Sequence, residues 1–239
     1  MEEERPRGAL VEGWSPPPLP SGAPMEGRYA RLEALEAERH AALLYRAFDG
    51  HDWVWDYMPD GPFASSAQFH RWMRGATARD DILFYAIYDK DAAAFGGFAS
   101  YLRMKPAAGS IEVGFIAMAP RLQRRRAATE AIYLMMKWAF EAGYRRFEWK
   151  CDALNRPSRR AAQRLGFSYE GVFRQATVIK GRNRDTAWFA VIDKEWPALS
   201  EAFQFWLAPS NFASDGRQRE RLSDLTRLVR NQSDPSLGG

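Results

Sequence analysis

Cysteine and histidine are scarce in this sequence, which has one Cys and three His among 239 residues. A single cysteine cannot form an intramolecular disulfide, and so few sulfur and imidazole ligands predict no metal site. Apolar runs of about 18 residues, the length that spans a bilayer, are missing. The first residues also lack the apolar stretch of a secretory signal. We therefore expect a cytoplasmic protein without a membrane partner.

Proline is concentrated at one end of the chain, because residues 1–24 hold six of the 14. Such a run cannot build a core, so we expect it to wrap a surface or to stay flexible. The composition as a whole, with 46% hydrophobic and 27% charged residues, is that of a globular protein. We predict a flexible segment over 1–24, one main domain over 25–197 and a helical extension over 198–239.

The net charge of +4 is unevenly distributed along the chain. Residues 1–120 carry a net charge of −5 and residues 165–239 carry +1, whereas residues 121–164 carry +8 from 12 basic and 4 acidic side chains. The basic excess therefore predicts an anionic ligand at 121–164. A solvated surface and a nucleic-acid interface are the alternatives.

Hydrophobic periodicity predicts an α+β protein with a mixed sheet. The strand-like runs are 27–35, 82–88, 95–102, 110–118, 145–150, 167–178 and 186–192. The helical runs are 36–48, 65–74, 127–142, 155–165, 195–207 and 217–230. Ser65 or Ser66 is a plausible helix cap, and the end after residue 230 is expected to fray.

A basic loop, RLQRRRAAT, lies between a predicted strand and the longest predicted helix. Backbone N–H groups at a helix N-terminus commonly bind phosphate, and arginine guanidinium groups strengthen such a site. The loop therefore predicts a phosphate site surrounded by Arg121, Arg124, Arg125 and Arg126. The alternative is a basic loop that faces water.

Three segments together resemble the RimJ/RimL-like branch of the GNAT acetyltransferase superfamily over residues 27–197. They are SIEVGFIAMAPRLQRRRAATEA, EWKCDALNRPSRRAAQRLGF and FRQATVIKGRNRDTAWFAVIDKEW. The resemblance implies the GNAT fold, a sandwich-like α/β/α arrangement whose mixed, mostly antiparallel sheet is splayed at the cofactor cleft. It also implies an N-acetyltransferase that uses acetyl-CoA. A primary amine, either a protein N-terminus or a small amine, would attack the thioester of coenzyme A directly in a ternary complex.

The resemblance assigns the cofactor to the strand and loop described above. The family's loop reads Q/R-x-x-G-x-G/A; Gln123 takes its first place and Ala128 its last, while Arg126 stands where glycine is usual. Glycine permits close backbone approach to the pyrophosphate, so Arg126 either keeps the same backbone shape or contacts phosphate with its side chain. The implied cofactor residues are Ile116, Ala117 and Met118 on the strand, and Gln123, Arg124, Arg125, Arg126, Ala127, Ala128 and Thr129 after it.

Two residues are implied to take part in proton transfer. Glu112 interrupts an apolar strand, and related enzymes use a Glu on this strand as general base, often through water. Ser158 would donate a proton to the departing thiolate, while Asn155 would hold the cofactor's arm and Arg160 its 3′-phosphate. The alternatives are an outward-facing Glu112, helix caps at Asn155 and Ser158, and an Arg160 that faces water.

An aromatic and acidic segment, DGHDWVWDYMPDGPF, is the predicted acceptor site. Carboxylates attract an ammonium group and aromatic faces add cation–π contacts, so Trp53, Trp55, Asp56 and Tyr57 are candidates. Trp149 and Lys150, on the strand that splays from the Glu112 strand in the family, would flank the same cleft. The alternative is that the aromatic residues fill the core and the Asp residues cap turns.

Two other functions remain open at this point. Arg126 in place of glycine is compatible with a protein that binds coenzyme A without catalysis. The basic stretch is compatible with nucleic-acid binding, but no helix-turn-helix or RNA-recognition signature accompanies it, so we expect no nucleic-acid partner. A homodimer through the last helices is a further option, although packing of those helices on their own domain is the simpler expectation.

Overall fold

The computed structural model describes residues 5–238, which form one eight-stranded sheet with helices on both faces. The strands lie in the order β1-β2-β3-β4-β5-β6-β8-β7, and every neighbouring pair is antiparallel except β5 and β6. They are β1 (Met25–Glu26), β2 (Ala30–Ala34), β3 (Ile82–Asp89), β4 (Ala94–Lys105), β5 (Ser110–Met118), β6 (Arg146–Asp152), β7 (Ser168–Ile179) and β8 (Arg182–Ile192). The predicted fold class is therefore confirmed.

The helices divide the core into two clusters, one on each face of the sheet. They are α1 (Ala37–Phe48), α2 (Ser66–Thr77), α3 (Arg126–Glu141), α4 (Arg156–Arg164), α5 (Trp196–Leu207) and α6 (Leu222–Arg227). Helices α1 and α2 pack on one face with Phe84 and Phe98, whereas α3 and α5 pack on the other with Ile111 and Val113. Alternate residues of the strands thus point to opposite apolar layers. None of the helices formed by residues 5–238 is long and apolar enough to cross a membrane.

Local signals fix the ends of the helices that the sequence predicted best. The hydroxyl of Ser65 accepts a hydrogen bond from the N–H of Gln68 at 3.2 Å, so Ser65 is the cap of α2. Helix α3 ends at Glu141, and Gly143 then adopts a φ of +97°, which glycine enters without a steric penalty.

A buried carboxylate anchors α3 to the start of β2. The side chain of Glu130 accepts N–H hydrogen bonds from Arg28 at 2.9 Å and from Tyr29 and Ala30 at 2.6 Å. A Cβ at Gly27 would lie 2.4 Å from this carboxyl group, so the close approach requires glycine. The three donors offset the cost of burying the charge and hold α3 in place beneath the sheet.

The sheet opens between β5 and β6, its only parallel pair. These strands pair from Ser110–Arg146 to Val113–Trp149 and no further, although β5 continues to Met118. A bulge accompanies the separation, because β5 shifts register against β4 and Phe115 has a φ of +46°. The outer edge of β5 beyond Val113 consequently faces a cleft instead of a neighbouring strand.

The predicted helix over 217–230 is wrong in its first part, since α6 begins only at Leu222. The preceding residues carry many charges and few apolar side chains, so a helix there would have no face to bury. They pair instead with an earlier turn, where the N–H of Arg219 donates to the carbonyl of Asn211 at 2.7 Å.

The expectation of a frayed end after residue 230 is also wrong for the described residues. Asp234 is buried, and the N–H of Tyr169 donates to the carbonyl of Gln232 at 3.0 Å. Residues 231–237 therefore belong to the folded domain and lie against β7 and α4.

The proline-rich segment carries no helix or strand over residues 5–24, and its first four residues lie outside the described part. Pro17 is buried, and the hydroxyl of Tyr144 donates to the carbonyl of Pro18 at 3.1 Å. The ring of Trp14 packs on Gly109 and under the guanidinium of Arg145. Part of this segment is thus packed on the domain.

Candidate active site

The cleft between β5 and β6 brings together residues from both halves of the chain. We call the edge of β5 after Val113, the loop 119–125 and the first turns of α3 and α4 the cofactor side. We call α1, α2 and the segment 49–64 between them, which contains a 3₁₀ turn over Asp52–Trp55, the acceptor side. The sequence predicted residues on both.

The loop 119–125 is folded tightly against β4 and β5. The N–H of Ala119 donates to the carbonyl of Gly96 at 2.8 Å, and the amide of Gln123 donates to the carbonyl of Met118 at 2.8 Å. Arg124 adopts a φ of +61° in this turn. Gln123 thus positions the loop, and Ile116, Ala117 and Met118 lie on the β5 edge that has no β6 partner.

The N-terminus of α3 leaves its first backbone N–H groups free. Arg125 is the cap residue, and its side chain has no oxygen that could accept from them, so no side-chain cap is formed. The N–H groups of Arg126, Ala127 and Ala128 have no acceptor within the helix, because such acceptors begin one turn later. This helix end can therefore bind a negatively charged group.

The side chain of Arg126 already has partners within the protein. Its guanidinium donates to Asp91 at 2.9 Å and lies over the rings of Tyr29 and Phe212, at 4.4 and 4.8 Å from their centroids. Arg126 is also helical in its backbone. Arg126 could either keep the backbone shape that glycine has in the family loop or contact phosphate with its side chain. The geometry favours the first option.

The other arginines of the loop differ in whether their side chains already bind groups of the protein. Arg121 donates to the carbonyl of Phe95, and Arg125 lies 3.6 Å from the carboxylate of Asp89. Arg124 is exposed and makes no hydrogen bond or ion pair within residues 5–238. Arg124 is therefore the loop guanidinium best able to meet an added anion.

Thr129, another predicted cofactor residue, is buried one turn into α3. Its hydroxyl accepts a hydrogen bond from Nη1 of Arg164 at 3.0 Å. Thr129 therefore joins α3 to the end of α4, while Arg160 lies exposed on α4 itself.

Asn155 and Trp149 hold Ser158 in place at the start of α4. Oδ1 of Asn155 accepts from the N–H of Ser158 at 3.1 Å, which makes Asn155 the helix cap. The indole Nε1–H of Trp149 donates to Oγ of Ser158 at 3.0 Å. Since an indole only donates, the hydroxyl proton of Ser158 must point to another acceptor.

The burial of Trp149 and of Cys151 limits what each can do in the cleft. Trp149 is buried, so it positions Ser158 and does not form an open wall of the cleft for the acceptor. Cys151 is buried beside the same hydroxyl; burial raises the pKa of its thiol to about 11, and the hydrogen bond with Ser158 only partly opposes the rise. The thiol is therefore neutral near pH 7.

A buried ion pair between Arg159 and Asp234 holds the first turn of α4, the turn that carries Ser158. Nε and Nη2 of Arg159 donate to the two oxygens of Asp234 at 2.6 and 2.8 Å, and Nη1 donates to the carbonyl of Ala153 at 2.8 Å. Burial opposes ionisation of Asp234, but hydrogen bonds from Arg159 and Ser236 outweigh it and lower the pKa of its carboxyl group. The C-terminal residues thus hold the turn that carries Ser158.

Glu112 is only 2% exposed and is bound by two cations. Nη1 of Arg103 donates to Oε1 at 2.6 Å, and Nζ of Lys150 lies 2.8 Å from Oε2. The alternative of an outward-facing glutamate is therefore wrong. Arg103 therefore occupies Oε1, whereas Oε2 is buried beside the Lys150 ammonium and accepts no hydrogen bond among the described residues.

Lys150 was expected only to flank the cleft, and its contact with Glu112 was not predicted from the sequence. Its Nζ lies between Glu112 and Glu148, 2.7 Å from the latter, and 3.7 Å from the ring centroid of Trp188. Burial opposes ionisation of Glu148, but Arg146 and Lys150 outweigh it and lower the pKa of its carboxyl group. The alternation of Glu148 and Lys150 along one strand was the available signal, since it gives both side chains the same face.

On the acceptor side, Trp55 and Trp53 have opposite environments. Trp55 is 3% exposed and packs against Phe48 and Phe63, with ring centroids 5.2 and 5.0 Å away, whereas Trp53 is 53% exposed. The ring of Trp55 therefore fills the core, which favours the alternative for this residue, and its role in acceptor binding stays a prediction. Trp53 and the exposed Asp56 remain accessible.

The segment 49–64 is tied across the molecule at two points. The hydroxyl of Tyr57 donates to the carbonyl of Leu154 at 3.3 Å, and Nζ of Lys180 donates to the carbonyl of Trp55 at 2.8 Å. Tyr57 therefore connects the acceptor side to the loop before α4. Lys180 comes from the turn between β7 and β8, which consequently reaches the same segment.

A cavity of about 330 Å³ lies between α2, β3 and β5, and the sequence reasoning did not identify it. Its walls include Phe115, the residue at the bulge of β5, and the aromatic rings of Trp72 and Phe84. The complete lining is Asp60, Arg71, Trp72, Gly75, Ala76, Arg79, Phe84 and Phe115.

Known acetyltransferases are similar to this chain in sequence and in structure. Residues 30–168 match the family described as an acetyltransferase (GNAT) domain. A GCN5-related N-acetyltransferase from Brucella melitensis is 46% identical over 91% of this chain and 100% of its own, with a TM-score of 0.89. A probable GNAT-family acetyltransferase from Chromobacterium violaceum is 42% identical over 83% of this chain and 100% of its own, with a TM-score of 0.77.

The ribosomal L7/L12 alpha-N-protein acetyltransferase RimL is a more distant neighbour. It is 21% identical over 74% of this chain and 99% of its own, with a TM-score of 0.62, which supports similarity of the fold alone. No curated protein matches the chain.

Proposed function

The chain belongs to the GNAT acetyltransferase family, and from this premise we propose that it transfers an acetyl group from acetyl-CoA to a primary amine by direct attack in a ternary complex. The observation that carries the proposal is the opening of β5 from β6 beside the free N-terminus of α3 and the fixed hydroxyl of Ser158. The acceptor is a protein N-terminus or a small amine.

The residues on the cofactor side fit coenzyme A. The free N–H groups at the start of α3 and the uncommitted Arg124 suit a diphosphate, and the unpaired edge of β5 suits the amide groups of a pantetheine arm. Acetyl-CoA supplies an activated thioester when it is bound. In the transfer, a bond forms between the amine nitrogen and the acyl carbon, and the carbon–sulfur bond breaks.

Ser158 donates the proton that the departing sulfur needs. Its Oγ already accepts from Trp149, so its hydroxyl proton is directed away from the indole and towards the cleft or Cys151. A serine is a weak acid in water, and this role therefore depends on its fixed position. Asn155 supports it by capping the same helix turn.

Glu112 accepts the proton that the amine loses, through a water molecule. A direct contact would have to displace Lys150 or Arg103, which both bind the carboxylate. The same cations stabilise the charge of Glu112 while an ammonium group approaches, and the reacting amine must be neutral before it attacks. Activity should therefore rise with pH until the acceptor amine is deprotonated.

A thiol-release assay with acetyl-CoA and a panel of primary amines tests the proposal. We expect release that depends on the amine, and a fall in kcat of about 100-fold for Glu112→Gln and about tenfold for Ser158→Ala, with little change in acetyl-CoA affinity. Ser200→Ala on α5 is the control and should match the wild type. The proposal fails if no amine stimulates release, and the role of Glu112 fails if its variant keeps the wild-type kcat.

The two alternatives have less support. Arg126 is the reason to consider a non-catalytic protein, but its side chain is bound by Asp91 and its backbone is helical at the start of α3. The basic loop offers little to a nucleic acid, because Arg121, Arg125 and Arg126 are committed to the protein itself.

A further inference from the structure

The cavity between α2, β3 and β5 meets the predicted acceptor segment only at Asp60, and none of its other lining residues was a predicted site residue. Its volume of about 330 Å³ lies at the lower end of small-molecule sites. Phe115 lines it and also belongs to the part of β5 that has separated from β6. The cavity and the reacting cleft are therefore joined by one residue of the bulge.

Aromatic rings form the floor of this cavity. The rings of Phe84 and Phe115 are 5.4 Å apart between centroids, and those of Trp72 and Phe84 are 6.4 Å apart, all edge-to-face. Such a surface suits an apolar or aromatic body. It gives no hydrogen bonds by itself, so orientation must come from the rim.

The rim carries two arginines, and they differ in whether the guanidinium already has a partner in the protein. Arg79 donates to both oxygens of Asp81 at 2.9 and 2.8 Å, so its guanidinium is already paired. Arg71 makes no hydrogen bond or ion pair with any residue between 5 and 238. Arg71 is therefore the group best placed to pair with a carboxylate that enters the cavity.

We propose that this cavity binds the body of the acceptor, and that the acceptor is a small amine carrying a carboxylate and an apolar or aromatic group. The inference rests on the proposed function and names its substrate class. The amine reaches the cleft past Phe115, the apolar body lies on Trp72 and Phe84, and the carboxylate pairs with Arg71.

Gly75 provides a way to close the cavity without harming the fold. It lines the cavity near the end of α2, and a Cβ built on it meets no heavy atom within 4 Å. Its φ is not in the left-handed region, so a larger residue is compatible with the helix and has a better helix propensity than glycine. Gly75→Leu should fill the cavity, while Gly75→Ala should leave most of it open.

The test compares L-phenylalanine with 2-phenylethylamine, which differ only in the carboxylate, in the thiol-release assay. We expect a kcat/KM about tenfold higher for L-phenylalanine, loss of this preference in Arg71→Ala, and its retention in the neighbouring Arg74→Ala. Gly75→Leu should reduce turnover of both amines at least tenfold without changing acetyl-CoA affinity, and Gly75→Ala should not. Equal rates for the two amines, or full activity in Gly75→Leu, would overturn the proposal.

Binding measurements separate this proposal from the proposed function. Calorimetric titration of L-phenylalanine into the protein with coenzyme A needs no turnover. Binding that Gly75→Leu abolishes would support the cavity as an amine site even if no thiol is released. The absence of binding in the wild type, together with thiol release by other amines, would overturn the cavity proposal and leave the acetyltransferase proposal intact.

Discussion

The cofactor side and the acceptor side of the cleft present different kinds of chemical groups. On the cofactor side, the groups that face the cleft are backbone N–H groups at the start of α3 and the backbone edge of β5. On the acceptor side, the accessible groups are side chains, such as the exposed Trp53 and Asp56 and the cavity residue Arg71. Every residue carries the same backbone groups, whereas each side chain is particular to its residue.

Because backbone groups do not depend on the residue type, the cofactor side tolerates amino-acid substitutions that the acceptor side does not. Arg126 replaces a glycine in the cofactor loop, yet its side chain turns to Asp91 and Tyr29 and the helix start keeps its shape. On the acceptor side, in contrast, replacing a side chain that contacts the ligand changes the contact itself. Shared cofactor binding with variable acceptors follows from this arrangement.

The largest expected effect separates packing from recognition on the acceptor side. We expect Trp55→Ala to lower the free energy of unfolding by about 3–5 kcal/mol, because it removes a ring from the aromatic core. Trp53→Ala should change it by less than about 0.5 kcal/mol, since that ring is exposed. Urea denaturation measures both. Similar stabilities for the two variants would contradict the assignment of Trp55 to the core.

The next largest effect is on stability and concerns the buried ion pair between Asp234 and Arg159, which holds the start of α4. We expect Asp234→Asn to lower the free energy of unfolding by about 3 kcal/mol at pH 7, because Arg159 would remain buried without a charged partner. Asp215→Asn is the control, since its pair with Arg217 is exposed and should contribute little to stability.

The same variant predicts a pH dependence. The folded protein lowers the pKa of the Asp234 carboxyl group, so its stabilising contribution is present above the unfolded pKa of about 3.9 and is lost as pH falls through the folded value. The difference in stability between wild type and Asp234→Asn should therefore shrink in acid. A difference that stays constant from pH 7 to pH 2 would show that the carboxylate charge is not responsible.

A smaller effect tests the positioning of Ser158. Trp149→Phe keeps the buried ring but removes the indole donor, and we expect kcat to fall about fivefold, equivalent to one neutral hydrogen bond of about 1 kcal/mol. Acetyl-CoA affinity should not change. Trp188→Phe is a matched control, because its buried Nε1 has no hydrogen-bond partner among the described residues. A kcat for Trp149→Phe equal to that of the control would remove the positioning role.

The smallest effects compare two arginines of the cofactor loop. Arg126→Ala should change the Kd of acetyl-CoA by less than about twofold, because its side chain is held by Asp91. Arg124→Ala should raise it about threefold, as expected for one exposed charge contributing about 0.7 kcal/mol. Isothermal titration measures both, and the opposite order would place the side chain of Arg126 on the phosphates.

Local features of the fold were predictable because they depend on neighbouring residues. The caps at Ser65 and Asn155, the glycine that follows α3 and the basic loop before that helix all stand within a few positions of the element they define. The sequence pattern of strand, loop and helix also carried the family resemblance. Helix α6 was misjudged because its first residues have no apolar face, so only tertiary contacts decide their course.

The sequence by itself determined the order of the elements, the fold class and the basic segment at the start of α3, since periodicity and capping are local properties. The tertiary structure alone decided that Lys150 neutralises Glu112, that Trp149 directs Ser158, and that Asp234 supports the turn beside it. These contacts join residues up to 75 positions apart, and strand register and helix packing set them. No local pattern encodes which distant charges and rings come to share one cleft.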